Sequence, residues 1–146
     1  MKVKLNENYC ISDDIDKIDF KQVRDMLKDA FWSKNISVKE VKKGANNSAL
    51  VVVTYDAKNK IVGYLRVISD KTRFAYILDV YVHEKHRKKE IGKSMMRFAL
   101  NHPELNDVYQ WLLATTSAPD FYTKLGFKPL QDTDKWMCII KPKTKM

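Results

Sequence analysis

Between Phe74 and Leu100 the chain reads FAYILDVYVHEKHRKKEIGKSMMRFAL, and this stretch restricts the fold more than any other. Phe74 to Val82 is apolar, aromatic and β-branched except for Asp79, the pattern of a buried strand. His83 to Lys89 is almost entirely charged, and Ile91-Gly92 opens a segment of helical periodicity. The order is thus strand, tight basic loop, helix. Orphan N–H groups at a helix N-terminus, flanked by Arg87, Lys88, Lys89 and Lys93, form a physically sound anion site.

The sequence has 146 residues, enough for one domain with a real core, and 45% of them are hydrophobic. No apolar run is long enough to span a bilayer, and no charged segment followed by an apolar one opens the sequence. A cytoplasmic protein without a membrane partner is therefore expected. Two cysteines, Cys10 and Cys138, make neither a disulfide framework nor a metal cluster, and read as small core hydrophobes in strands. The net charge of +9 would attract a polyanion such as nucleic acid, acidic lipid or a phosphorylated cofactor. Most of these charges read as an ordinary solvated surface. The excess thickens at Lys85 to Lys93 and in the tail Lys141, Lys143, Lys145, and only the first cluster has a backbone that could aim it. With no helix-turn-helix, paired Cys/His motif or aromatic-studded ribonucleoprotein strand, the pattern argues against a nucleic-acid partner.

Taken in order, Tyr9 to Ile11 reads as a short first strand, after a polar and extended or loose start. Ser12-Asp13-Asp14 offers turn and capping chemistry. Phe20, Val23, Met26, Leu27, Ala30 and Phe31 share one helical face, which predicts a helix over Phe20 to Trp32. A second, shorter helix begins at Ser37 and ends near Gly44, where Gly44 to Ser48 is a breaker. Ala49 to Tyr55 and Ile61 to Ile68 form a hairpin across the turn Asp56 to Lys60. After the central helix, which Asn101-His102-Pro103 ends, Val108 to Ala114 is another strand. Ser117 caps a short helix over Asp120 to Leu125, stopped by Gly126. Phe127 to Leu130 and Trp136 to Ile140 read as closing strands. The order β-α-α-β-β-β-α-β-α-β-β, with hairpins first and a β-α-β crossover later, demands a mixed sheet with helices on both faces. The fold class is α/β (α+β), a single domain over residues 1–146 with its core at about 9–140 and a basic tail at 141–146.

Two motifs then carry a resemblance. An Arg/Gln-x-x-Gly-x-Gly/Ala pattern falls on Arg87-Lys88-Lys89-Glu90-Ile91-Gly92, with Glu90 at its first glycine, and Ala118-Pro119-Asp120-Phe121-Tyr122-Thr123-Lys124-Leu125-Gly126-Phe127 matches Ala-x-x-x-Tyr-x-Lys-Leu-Gly-Phe. With a strand between them, and from about Tyr9 to Ile140, the chain resembles the GNAT superfamily of N-acetyltransferases. TRFAYILDVYV, LATTSAPDFY and a late Trp-Met look like bacterial members whose acceptor is unassigned. The resemblance implies a mostly antiparallel sheet splayed at one parallel strand pair. It implies acetyl-CoA as co-substrate, an amine acceptor on a small molecule or protein, no metal, and a monomer or homodimer. It places the cofactor at Val80, Tyr81 and Val82 through backbone groups, at the loop Arg87, Lys88, Lys89, Glu90, Ile91, Gly92 and Lys93, and at Thr115. Two positions depart from the pattern. Glu90 stands where the family has its first loop glycine, which predicts weakened cofactor binding, and Thr115 stands where many members have Asn.

For catalysis, the resemblance makes Tyr122 the general acid for the departing thiolate; the alternative is an aromatic that packs its helix on the sheet. Asp79 is notable on physical grounds alone. A carboxylate within an apolar strand is costly unless paired or hydrated. It either orients the acceptor amine, or takes its proton through water, or is a structural carboxylate bonded to backbone N–H groups or a core tyrosine. Phe31 and Trp32 flank the acceptor cleft in this reading. His83-Glu84-Lys85-His86 lacks the spacing of a zinc site. Trp32, Trp111 and Trp136 read as core or groove lining. The competing reading is a GNAT-fold acyl-CoA-binding or regulatory module with weak catalysis, fed by Glu90 and Thr115.

Overall fold

A computed structural model describes residues 1–144; Lys145, part of the basic tail, lies outside the described residues. The chain divides into two compact units, Met1–Ala114 and Thr115–Met146.

The first unit holds a six-stranded sheet in sequence order. Its strands are β1 (Lys2–Lys4), β2 (Tyr9–Ser12), β3 (Leu50–Asp56), β4 (Ile61–Ser69), β5 (Phe74–Val82) and β6 (Gln110–Leu112). Every pairing is antiparallel except β5–β6. The polar start, expected to be extended or loose, forms strand β1. Helices α1 (Phe20–Leu27) and α2 (Val38–Asn46) cover one face, where Val23, Met26, Leu27, Val41 and Ala45 form a cluster with Val51, Val53 and Tyr64. The opposite face carries α3 (Ile91–Leu100). There Gly63 leaves room for Met95 and Ile91, whose side-chain atoms stand 3.0 and 3.2 Å from where its Cβ would be. The apolar residues alternate along β3 and β4, so each face receives its own set.

Local chemistry sets the helix ends. Asp19 caps α1 by accepting from Lys21 N and Gln22 N, and Ser37 caps α2 by accepting from Glu40 N. Helix α1 is shorter than its periodicity predicts. Ser33 Oγ donates to the carbonyl of Leu27 and Ala30 N closes a turn on the same group, so the chain breaks away. Phe31–Ser33 then forms a separate 3-10 turn. Gly44 does not break α2, which continues to Asn46 with Ala45 fully buried. Strand β6 is also shorter than Val108 to Ala114, for its parallel pairing spans only Phe74↔Gln110, Ala75↔Trp111 and Tyr76↔Leu112.

In the second unit, α4 (Pro119–Thr123) is the one α-helix among the described residues. Its cap residue is Ala118, with no side-chain bond; Thr115 Oγ1, not Ser117, takes the Ala118 N–H at 3.1 Å. Neither expected closing strand forms among the described residues. Pro129 has no N–H to give a ladder, Asp132 turns the chain at φ 53°, and Met137, Ile139 and Ile140 are 95%, 83% and 88% exposed. Trp136 is exposed rather than core. Cys138 is exposed and outside any strand, while Cys10 is half-buried on β2.

Candidate active site

Strand β5 is where the sheet opens. Beyond Tyr76 it has no ladder with β6 among the described residues, so from Ile77 to Val82 the edge on that side is not closed by a neighbouring strand. On its other side the register with β4 slips. Arg66 pairs Leu78 and Tyr64 pairs Tyr81, so Asp79 and Val80 together oppose Leu65. This is a β-bulge, which bends the strand and leaves one residue without a cross-strand partner. Asp79 makes the bend with φ at +56°, a left-handed conformation that Asp and Asn tolerate better than most residues.

The Asp79 side chain is neither solvated nor bonded to a tyrosine. Its Oδ2 accepts from Arg66 Nε at 2.8 Å, and its Oδ1 accepts from Trp32 Nε1 at 3.3 Å. The side chains of Arg66 and Asp79 are only 18% and 12% exposed, so the pair is shielded enough to matter. Tyr64, buried on the same face, has a hydroxyl with no partner among the described residues. Burial pushes that phenol well above its ordinary pKa. Trp32 stands edge-on to Phe31 at 5.1 Å and to Tyr81 at 6.3 Å between ring centroids. Phe31 and Trp32 remain 61% and 47% exposed, so Trp32 is wall rather than core. Phe31, Trp32, Asp79 and Tyr81 thus meet on one side of the open strand.

The other end of β5 leads into the basic loop. A 3-10 turn, Glu84–His86, follows the strand, and His86 Nδ1 is tied to Tyr9 Oη at 2.8 Å. Arg87 points back: its Nε donates to the Val82 carbonyl at 2.9 Å, and its guanidinium lies 5.2 Å over the Tyr81 ring. Lys88 and Glu90 both adopt left-handed backbone, φ 63° and 65°, so the loop folds tightly against α3. Glu90 is the cap residue of that helix without donating or accepting a capping bond through its side chain. Instead its carboxylate lies 3.9 Å from Lys93 Nζ. Lys88 and Lys89 are exposed, and Ile91 anchors the helix start in the core, 1% exposed. The N-terminus of a ten-residue helix, two free lysines and the open strand edge suit a long ligand with a phosphate group at one end. Among the described residues no three of His, Cys, Asp and Glu stand together as metal ligands.

In the second unit Tyr122 is half-buried and edge-on to Phe121 at 4.9 Å and Phe127 at 6.0 Å. Burial raises its pKa, which keeps the phenol protonated through neutral pH. Thr115 is exposed, with its hydroxyl engaged by Ala118 N.

Arg66 is the residue that sequence reasoning missed. The signal was present: one cation in the apolar strand IVGYLRVI and one anion in the next strand, FAYILDVYV. Opposite charges in adjacent strands of a hairpin point to each other. His86 and Tyr9, far apart in sequence, carried no such signal.

Comparison with known proteins bears on the family and the fold. A family model described as an acetyltransferase (GNAT) domain matches residues 46–129. Over 109 residues the chain is 31% identical to the uncharacterized N-acetyltransferase ycf52 of Pyropia yezoensis, covering 70% of this chain and 60% of that protein. The chain therefore spans about 60% of that curated relative. A crystal structure from Xanthomonas campestris pv. campestris, assigned to the GNAT family, superposes with a TM-score of 0.85 at 30% identity, covering 92% of this chain and 94% of that one. A Staphylococcus aureus structure described as a probable acetyltransferase shares the fold at a TM-score of 0.73 and 23% identity, covering 92% and 99% of the two chains. With its mixed sheet, its single parallel strand pair and more than half its length matched by the family model, the chain belongs to the GNAT acetyltransferase superfamily.

Proposed function

We propose that the protein is an acetyl-CoA-dependent N-acetyltransferase acting on a primary amine of a small molecule or a protein. The observation that carries this reading is the parting of β5 from β6 after Tyr76, which leaves an extended backbone edge leading into the basic loop. An acyl-pantetheine arm would add to that edge through its amides, along Val80, Tyr81 and Val82, as a peptide adds to a sheet. Its phosphates would meet the N–H groups of Ile91, Gly92 and Lys93 and the side chains of Lys88 and Lys89. Arg87, now held by Val82 and Tyr81, is close enough in sequence to join them. Thr115 offers a hydroxyl where the resemblance places a cofactor contact.

Acetyl transfer forms a C–N bond and breaks the thioester C–S bond; the amine nitrogen gives up a proton to water and the leaving sulfur takes one. Tyr122 is the proton donor in this reading, and its raised pKa keeps it in the protonated form that the role requires. The acceptor enters beside Phe31, Trp32 and Asp79, where two exposed aromatic rings flank a shielded ion pair. Calorimetry with acetyl-CoA tests donor binding, and thiol release across a panel of amines tests transfer. Absence of acetyl-CoA binding overturns the reading. One observation favours a second reading, an acyl-CoA-binding or regulatory module with weak catalysis: Glu90 puts a Cβ and a negative charge at a left-handed position beside the anion site. Donor binding without thiol release for any amine would select it.

A further inference from the structure

Asp79 combines three observations. It sits at +56° in the middle of a strand, it is one of the two residues that share Leu65 at the bulge, and both its oxygens already accept from side chains. An amine proton bound for Asp79 would meet a carboxylate whose charge Arg66 already offsets at 2.8 Å. The partner that holds it is itself held: Arg66 Nη1 donates at 3.4 Å to the Gly44 carbonyl and to Ser48 Oγ. A Cβ on Gly44 would stand 3.2 Å from Arg66 Cζ, so α2 packs closely over the guanidinium, which would have to give way slightly to a larger residue. Arg66 therefore links three segments: the end of α2, the bulge in β5 and, through the shared carboxylate, the turn that carries Trp32.

We propose that Arg66 is a positioning residue for acetyl transfer: through Asp79 it holds the left-handed bend of β5, and with it the shape of the open backbone edge along which the donor's acyl end would lie. This rests on the acetyltransferase reading. It makes Asp79 a backbone-shaping residue rather than a proton acceptor. The consequence is an unusual order among variants. Glycine and asparagine reach the left-handed conformation readily, whereas alanine populates it roughly five- to thirtyfold less. A base would be lost equally in Asp79→Gly and Asp79→Ala; a shaped bend survives in the first and not in the second.

The test uses the full chain and acetyl-CoA labelled with carbon-13 at the thioester carbonyl, so no acceptor is needed. Calorimetry gives the dissociation constant, and the carbonyl resonance reports hydrogen bonding to its oxygen. In the wild type the resonance should move downfield on binding. Asp79→Asn and Asp79→Gly should keep at least half of that shift. Asp79→Ala and Arg66→Met should lose most of it, and Arg66→Lys, which keeps the charge, should recover part. All should bind acetyl-CoA within about threefold of wild type, because the loop holding the phosphates is untouched. With an acceptor in hand, kcat should follow the carbonyl shift while KM for acetyl-CoA stays level and the pH profile keeps its shape. Equal shifts in Asp79→Gly and Asp79→Ala, or a full shift in Arg66→Met, overturn the proposal. If Arg66→Met does not fold, Arg66→Gln takes its place and should likewise lose most of the shift; a full shift in it overturns the proposal. Wild-type binding without a carbonyl shift overturns the proposal and leaves the acetyltransferase reading standing; no binding at all overturns both.

Discussion

Replacing Glu90 with glycine tests the loop where its sequence departs most from the family pattern. Three effects act together. The backbone at Glu90 is left-handed, φ 65°, which costs a residue with a Cβ about 1 kcal/mol. Glycine removes that strain but adds freedom to the unfolded chain worth about 0.5 kcal/mol. The net gain in stability is about 0.5 kcal/mol, a rise of only one or two degrees in Tm. The second effect is electrostatic. The Glu90 side chain is 71% exposed, so water screens it. A unit charge about 8 Å from a doubly charged pyrophosphate then opposes binding by about 1 kcal/mol. The third is that Lys93, 3.9 Å from the carboxylate, is released to the anion. The charge effects predict an acetyl-CoA dissociation constant about fivefold lower in Glu90→Gly. Glu90→Gln, which keeps the Cβ, should show the electrostatic part alone, and that part should fade above about 0.5 M salt. Calorimetry at two ionic strengths measures both. An unchanged or weaker constant in Glu90→Gly would refute the argument that this residue costs affinity.

Tyr122→Phe should cut turnover by at least tenfold and leave the acetyl-CoA dissociation constant within twofold, read by thiol release and calorimetry. A general acid works below its pKa, and burial raises that of Tyr122, so the alkaline loss of activity should lie above the ordinary phenol value of about 10. His102, 5% exposed, shares a 2.7 Å bond with Asp13 Oδ2 while its Nδ1 accepts from Glu104 N. Asp13→Ala should therefore cost about 1–3 kcal/mol at pH 7 in urea unfolding. Burial raises the Asp13 pKa, but hydrogen bonds and charge from the Met1 ammonium and His102 outweigh it, and the net shift is downward from 3.8. Its contribution is thus present above pH 3.8 and is lost as pH falls through the lowered value, so the gap between wild type and variant should close toward pH 2. Thr54 is fully buried and its hydroxyl has no partner among the described residues. Thr54→Val should hold or raise stability by about 1 kcal/mol in the same assay.

The first unit was largely legible because its signals are periodic and local. The hairpin Leu50–Asp56 with Ile61–Ser69, the strand Phe74–Val82 and the helix Ile91–Leu100 all follow from apolar spacing and turn residues. The apolar run Trp136 to Ile140 misled for the opposite reason. Residue type supplies a strand's preference but not its partner, and no ladder forms there among the described residues. Phe31 matched the helical period of α1 and Trp32 ended the helix it predicted, yet Ser33 draws the chain out of the helix with a single hydroxyl on Leu27 O, an interaction that no periodicity contains. At the site, the sequence singled out Asp79 as anomalous but not its partner Arg66. The cation lies 13 residues away on another strand, and their meeting depends on a register slip between Tyr64 and Arg66.

That slip has a consequence for how the protein behaves in a crowded solution. From Ile77 to Val82 strand β5 has no ladder with β6 and an aromatic and β-branched sequence, the kind of edge on which a second chain can nucleate aggregation. A straight strand there would be an open template. The bend at Asp79 interrupts the regular spacing of donors and acceptors, so a foreign strand can register with only two or three residues before it meets the kink. A flexible ligand with amides at irregular intervals is not subject to the same limit. The irregularity that shapes the site thus also filters what may add to it, and substitutions that straighten β5 should make the protein sticky before they make it unstable.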